Sequence, residues 1–178
     1  MSIHKKFTGN NSIIKITAAE LINSAVYVAS AVGAEAYVGT IRKQCPYPVI
    51  ILGNTNLEYG DRWKSEVEKL VPGISVKKYL TTPATKDGRR KTQYQWQVIR
   101  RKDVLALLTA IRPHLSHTKS EAVDSILTTF GGPEKPSRVE RYLCYWTCRH
   151  VNHTGTIEPA QPEWSYKKPP TDDELNKL

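Results

Sequence analysis

Apolar positions along this chain keep two different spacings in turn, and each change of spacing marks an element. In ITAAELINSAVYVASAVGAE the apolar residues recur every three or four positions behind Thr17-x-x-Glu20, a capping box, which predicts a helix to about Ala34. YVGTIRKQC and YPVIILGN then read as β-rich runs separated by a proline-containing turn, hence a hairpin. NLEYGDRWKSEVEKLV puts Trp63, Val67, Leu70 and Val71 at helical spacing before Pro72-Gly73 stops it. ISVKKYLTT and TQYQWQVIR are two more strands, joined by the polar, basic loop PATKDGRRK. KDVLALLTAIR is a short apolar-striped helix ending before Pro113. HTKSEAVDSILTTFGG carries a second box, Thr118-x-x-Glu121, and closes on Gly131-Gly132. A third, Ser137-x-x-Glu140, opens RVERYLCYWTCRHVNH.

That order implies an α+β fold: a four-stranded antiparallel sheet with helices packed on one face. Residues 1–12 read as a flexible N-terminus, 13–155 as the folded domain, and the proline-rich, polar stretch 156–178 as an extended or disordered tail. No internal repeat is present, so the unit occurs once. No run approaches the ~18 apolar residues of a membrane helix, and MSIHKKFTGNNS lacks the apolar centre of a secretory signal. Three cysteines, Cys45, Cys144 and Cys148, are too few for a disulfide framework. An intracellular, reduced protein without a membrane partner is expected, in a prokaryotic or phage cytoplasm or in an organelle such as a chloroplast or mitochondrion.

Charge changes the picture more than composition does. The formal net charge is +9, an excess that points to an anionic partner, nucleic acid before a membrane surface; a basic protein with no such partner is the plainer alternative. The excess is concentrated: between Ile74 and Lys102 nine basic residues (Lys77, Lys78, Lys86, Arg89, Arg90, Lys91, Arg100, Arg101, Lys102) face one acid, Asp87. In the same region TQYQWQV alternates Gln93, Gln95 and Gln97 on one face with Tyr94, Trp96 and Val98 on the other. The aromatic face suits the helix-covered side. The glutamines, if not merely solvated, suit base edges, since Gln bonds adenine in bidentate fashion.

The first helix ends almost without bulk. Ala25, Ala29 and Gly33 lie four apart, as do Val26, Ser30 and Ala34, so two small-residue stripes run along it. Such a stripe lets two helix backbones approach closely, either within the chain or across a two-fold axis against its own copy. In the second case Glu35, at the foot of the helix, would meet its mate, and a divalent cation with oxygen ligands would relieve the repulsion. Otherwise Glu35 is a solvated surface acid. A third candidate cluster, Cys144, Cys148, His150 and His153, has the wrong disposition for zinc, and two packed thiols fit it better.

YVASAVGAEAYVGTI resembles the signature of the LAGLIDADG homing endonucleases, commonly YLAGLIDGEGSIGI, with Tyr27, Ala29, Val32, Glu35 and Gly39 in place. GNTN, QYQWQV, LLTAIRPHLSHTKSEAV and VERYLCYWT follow in the family's order, so the resemblance spans about 13–155. With one motif per chain it is most similar to the homodimeric, intron-encoded members. Gly33 stands where the motif's first acid usually lies; the second, metal-binding acid is kept as Glu35.

The resemblance implies an αββαββα sheet saddle on DNA and a site-specific double-strand break in a long pseudo-palindromic target. It implies Mg²⁺ bound through Glu35 and Ala34, with Glu35, Asn54 and Lys119 catalytic, although spacing from Ala122 puts Thr118 rather than Lys119 at the family's lysine position. Duplex DNA would contact Ile41, Lys43, Lys77, Tyr79, Arg89, Arg90, Lys91, Gln93, Gln95 and Gln97. The chain would pair with itself through Ala25, Ala29, Val32 and Gly33. The alternative on the same scaffold is a non-cleaving DNA- or RNA-binding protein, an intron maturase or a transcriptional regulator.

Overall fold

A computed structural model describes residues 16–42, 46–83, 85, 89, 91–154 and 170–177. The elements are α1 (Ala18–Ala34), β1 (Ala36–Ile41), β2 (Tyr47–Asn54), α2 (Leu57–Leu70), β3 (Lys77–Thr82), β4 (Gln93–Val98) and α3 (Arg101–Ile111). A 3₁₀ turn at Arg112–His114 leads into α4 (His117–Phe130) and α5 (Arg138–Thr154), and a short α6 (Asp172–Asn176) follows.

Local chemistry starts most of these helices. The Thr17 hydroxyl accepts the Glu20 N–H while the Glu20 carboxylate accepts the Thr17 N–H, and Ser137 and Glu140 repeat the arrangement at α5. Asn56 caps α2 by accepting the Tyr59 N–H. Two expectations are corrected here. The helix α4 begins at His117 behind Ser116, so Thr118 lies inside its first turn and Thr118-x-x-Glu121 does not start it. Within the stretch read as an extended tail, Thr171 and Glu174 form a capping box on α6.

The four strands make one antiparallel sheet in the order β1-β2-β4-β3. Register sorts its two faces, because opposite residues point the same way. Ala36, Leu52, Trp96 and Lys78 share one row, and Val38, Ile50 and Val98 the next; these rows meet the helices. Val38, Ile50, Leu52, Trp96 and Val98 are fully buried there with Val28, Val32, Trp63, Val67, Leu107, Leu108, Ile111 and Ile126. Burial of each such side chain contributes about 2 kcal/mol.

Gly60 sets how closely α2 approaches the sheet. A Cβ at that position would stand 2.1 Å from the Trp96 ring, so only glycine lets the helix backbone lie against the indole. Asp61, the next residue, accepts the Trp96 indole N–H at 3.0 Å and pairs with Lys78, tying α2 to β4 and β3 at one carboxylate.

β1 lies at one edge of the sheet, and its outward backbone groups are met by helix side chains. The Lys119 amine donates to the Ala36 carbonyl, and Asn152 donates to the Val38 carbonyl at 2.7 Å. Covering the strand in this way removes a template for edge-to-edge pairing. It also fixes α4 and α5 alongside β1, next to the end of α1.

Candidate nucleic-acid interface and carboxylate site

The sheet face turned from the helices carries the residues read as DNA contacts. Gln97 pairs with Lys77 and Ile51, and Ile51 with Tyr37, giving one row across all four strands. Gln95 sits between Tyr79 and Gly53 in the next row, and Gln93 opposes Thr82 beyond it. The alternation read in TQYQWQV therefore has the orientation expected, with Trp96 and Val98 buried and Gln93 exposed. Gln97 Nε2 donates to Gln95 Oε1 at 3.0 Å. The Gln95 amide nitrogen is thereby left to donate and the Gln97 amide oxygen to accept, side by side.

Basic groups surround this face unevenly. Lys77, Arg89 and Lys91 are exposed, and Ile41 is half-buried at the end of β1; Lys43 and Arg90 lie outside the described residues. Arg101 has another task. Its guanidinium donates to the Phe130 and Gly132 carbonyls, capping the C-terminal end of α4. Lys78 is on the helix side with Asp61. Alternation missed Arg42, an exposed cation at the hairpin turn whose φ of 65° puts it over the Tyr47 ring, 5.5 Å from the centroid. A turn conformation of that kind has no period for alternation to detect.

At the foot of α1 two of the three candidate catalytic residues meet, and the third reaches the adjoining backbone. Glu35 is the C-cap, exposed, with its backbone N–H bonded to the Ala31 carbonyl. Asn54, the last residue of β2, donates from Nδ2 to Glu35 Oε2 at 2.5 Å while its Oδ1 accepts the Asn56 N–H, so its amide is oriented by both neighbours. Lys119 reaches the carbonyl of Ala36, the residue after Glu35. Burial holds this amine below the usual lysine range. Tyr59 and Tyr27 stand nearby, 6.3 Å apart between ring centroids. Burial raises both phenols, and the Glu35 charge adds to the effect.

Oxygen donors are what this corner offers a metal. The Glu35 carboxylate and the Ala34 carbonyl share the C-terminal end of α1, where the helix dipole favours a cation, and hard divalent ions take such ligands. Among the described residues no three His, Cys, Asp or Glu side chains gather as a metal-ligating group, so this corner supplies one carboxylate per chain.

The stripe assigned to self-association is corrected by the packing. Ala25, Ala29 and Val32 are 5%, 1% and 0% exposed, buried by the chain's own helices and sheet. Their small size serves close packing inside the chain. Gly33 is turned inward too: a Cβ there would come within 3.2 Å of Ser116 Oγ. The stripe left outside is the other one, where Ile22 and Val26 are 55% and 45% exposed and Ser30 and Ala34 continue the row to Glu35.

Cys144 and Cys148 are buried in the core, their sulfurs 4.0 Å apart, and Cys148 donates to the Ala122 carbonyl. The neighbouring thiol and burial push Cys148 up, which keeps it protonated. His150 stacks on Trp146 instead of joining them, with ring centroids 5.2 Å apart.

No protein-family model and no curated protein sequence matches the chain. Two solved structures of the homing endonuclease I-CvuI share its fold. One, in complex with a DNA target in the presence of magnesium and with the DNA not cleaved, has a TM-score of 0.53 at 13% identity over 82% of this chain and 88% of that one. The other, in complex with its own target and calcium, has a TM-score of 0.54 at 12% identity over 90% and 97%. The α+β architecture is thus that of homing endonucleases.

Proposed function

We propose that the chain is a site-specific DNA endonuclease that acts as a homodimer and breaks both strands of a long, pseudo-palindromic duplex in a Mg²⁺-dependent reaction. The observation that carries this is the Glu35–Asn54 bond, with Lys119 on the adjoining Ala36 carbonyl, on a fold shared with an endonuclease seen in complex with DNA. Two chains meeting along Ile22, Val26, Ser30 and Ala34 would bring two Glu35 carboxylates together at the foot of their helices. Glu35 and Ala34 would hold a divalent ion there, which when bound would supply Lewis-acid stabilisation of charge on the reacting oxygens. Asn54 fixes the Glu35 carboxylate. Lys119, a half-buried amine on the carbonyl of the next residue, Ala36, would offer positive charge where negative charge develops at phosphorus.

On the sheet face, the free amide nitrogen of Gln95 and the free amide oxygen of Gln97 form the donor and acceptor pair that an adenine edge requires in the major groove. Lys77, Arg89 and Lys91 position the duplex through phosphates.

The test is cleavage of a randomised duplex library with Mg²⁺, Ca²⁺ or EDTA, comparing the wild type with Glu35→Gln. Mg²⁺-dependent double-strand breaks at an enriched sequence, reduced at least a hundredfold in the variant, are expected. Tight, specific binding without cutting in any metal would establish instead the second reading, a non-cleaving DNA- or RNA-binding protein. Two features favour that reading: Gly33 replaces the motif's first acid, and Lys119 is engaged with the β1 edge.

A further inference from the structure

The row Tyr37–Ile51–Gln97–Lys77 ends on the β3 side with a cation, Lys77, and on the β1 side with an aromatic ring. Beyond that ring a second cation takes up the row. Arg149 of α5 lies over Tyr37, its guanidinium carbon 5.4 Å from the ring centroid. One helical turn away on its own helix, Tyr145 faces the same guanidinium at 5.5 Å. Both rings lie within cation–π range of the one guanidinium, which restrains where the charge sits.

Arg149 Nε is buried without a hydrogen-bond partner, and among the described residues no carboxylate pairs with this side chain. Two further ring nitrogens of the same helix, Trp146 Nε1 and His150 Nδ1, are also without partners. The side chain as a whole is half-buried, so a cation beside two aromatic rings and without a carboxylate among the described residues keeps its charge for an anion outside the chain.

Spacing says which ligand. Adjacent strands lie about 4.8 Å apart, so β1 and β3 are separated by roughly 14 Å, and Arg149 comes from α5, which is bonded to β1. The major groove of B-DNA is about 12 Å wide. A duplex presenting its major groove to Gln97 would run one sugar-phosphate strand past Lys77 and the other past Arg149.

We propose that Arg149 is a phosphate contact of the DNA interface, placed by Tyr37 and Tyr145 and gripping the backbone on the β1 side, where Tyr37 lies two residues from Glu35. The inference rests on the DNA-binding reading above and adds to it a positioning residue that a strand-by-strand reading of the sheet does not reach, because it comes from α5.

Fluorescence anisotropy of a labelled duplex of randomised sequence, titrated with protein from about 50 to 300 mM KCl, tests it. For the wild type, log affinity should fall steeply with log salt. Arg149→Gln keeps a flat polar group between the rings and removes the charge. It should lower the slope by about 0.9 per bound chain and weaken binding about eightfold at 0.1 M salt. Arg149→Lys should keep the wild-type slope while losing several-fold in affinity, because an ammonium cannot lie flat between two rings. It remains informative if the glutamine variant does not fold. Wild-type slope and affinity in Arg149→Gln, or wild-type affinity in Arg149→Lys, would overturn the phosphate contact and leave DNA binding standing. A wild-type protein that does not bind duplex DNA at any of these salt concentrations would overturn both.

Discussion

Asp61 illustrates how much a single residue can hold. Its carboxylate takes the Trp96 indole N–H and the Lys78 amine together, so a buried ring on β4 and an edge-strand lysine are both referred to α2. Asp61→Ala strands the indole N–H in the core. The expected loss is about 2 kcal/mol of folding stability, read as a lower urea midpoint at unchanged m-value. The pH dependence has a definite sign. Burial acts to raise the Asp61 carboxyl, and the bonds from Lys78 and Trp96 outweigh it, so the folded value is lowered. A lowered carboxyl contributes stability above the unfolded value of 3.8 and loses it as pH falls through the folded one. The wild type should therefore lose stability below about pH 4 more steeply than Asp61→Asn. Equal acid limbs in the two denaturation profiles would show that the carboxylate adds nothing by its charge.

Two faces of one helix decide the next scale. On α1 the stripe of Ala25, Ala29 and Val32 is packed inside the chain, while Ile22, Val26 and Ser30 look outward. Enlarging a residue on each stripe should then give opposite results. Ala29→Leu adds three carbons to a position that is 1% exposed and should cost the chain about 1–3 kcal/mol through overpacking. Val26→Asp puts a charge on an exposed position and should leave the thermal midpoint of the isolated chain near its original value while splitting a dimer into monomers in sedimentation. A dimer that survives Val26→Asp places its interface elsewhere. Periodicity identified both stripes from residues 18–34 alone. It could not orient them, because 3.6 residues per turn sorts residues onto faces without saying which face meets the sheet.

At the scale of the whole molecule, a sheet that binds DNA as proposed would separate contacts that specify from contacts that hold. Gln95 and Gln97 sit mid-sheet as a donor and an acceptor, and Lys77 stands at its edge. Gln95→Ala should relax preference at one base pair by about 1–3 kcal/mol in a selection from randomised duplexes and leave the salt slope alone. Lys77→Ala should reduce the slope by about 0.9 and weaken all sequences alike. A changed preference in Lys77→Ala, or a changed slope in Gln95→Ala, would reverse the two roles.

The chain by itself determined its elements and their chemistry within each: the boxes at Thr17 and Ser137, the two strand pairs, the alternation that turns three glutamines away from Trp96, and an acid at the foot of a bulk-free helix. These are local, since caps, turns and periods involve residues a few positions apart. Tertiary structure decided what no local rule reaches. Asn54 meets Glu35 across 19 residues and Lys119 meets the Ala36 carbonyl across 83, contacts that exist only once β2 and α4 have packed on either side of β1. The same packing chose which stripe of α1 stays outside, drew Arg101 away to cap α4, and laid Arg149 over Tyr37. The resemblance could name candidates for the site, with spacing alone pointing to Thr118 in place of Lys119, but burying a shared core is what brings distant segments of one chain to the same corner and fixes which way their side chains point.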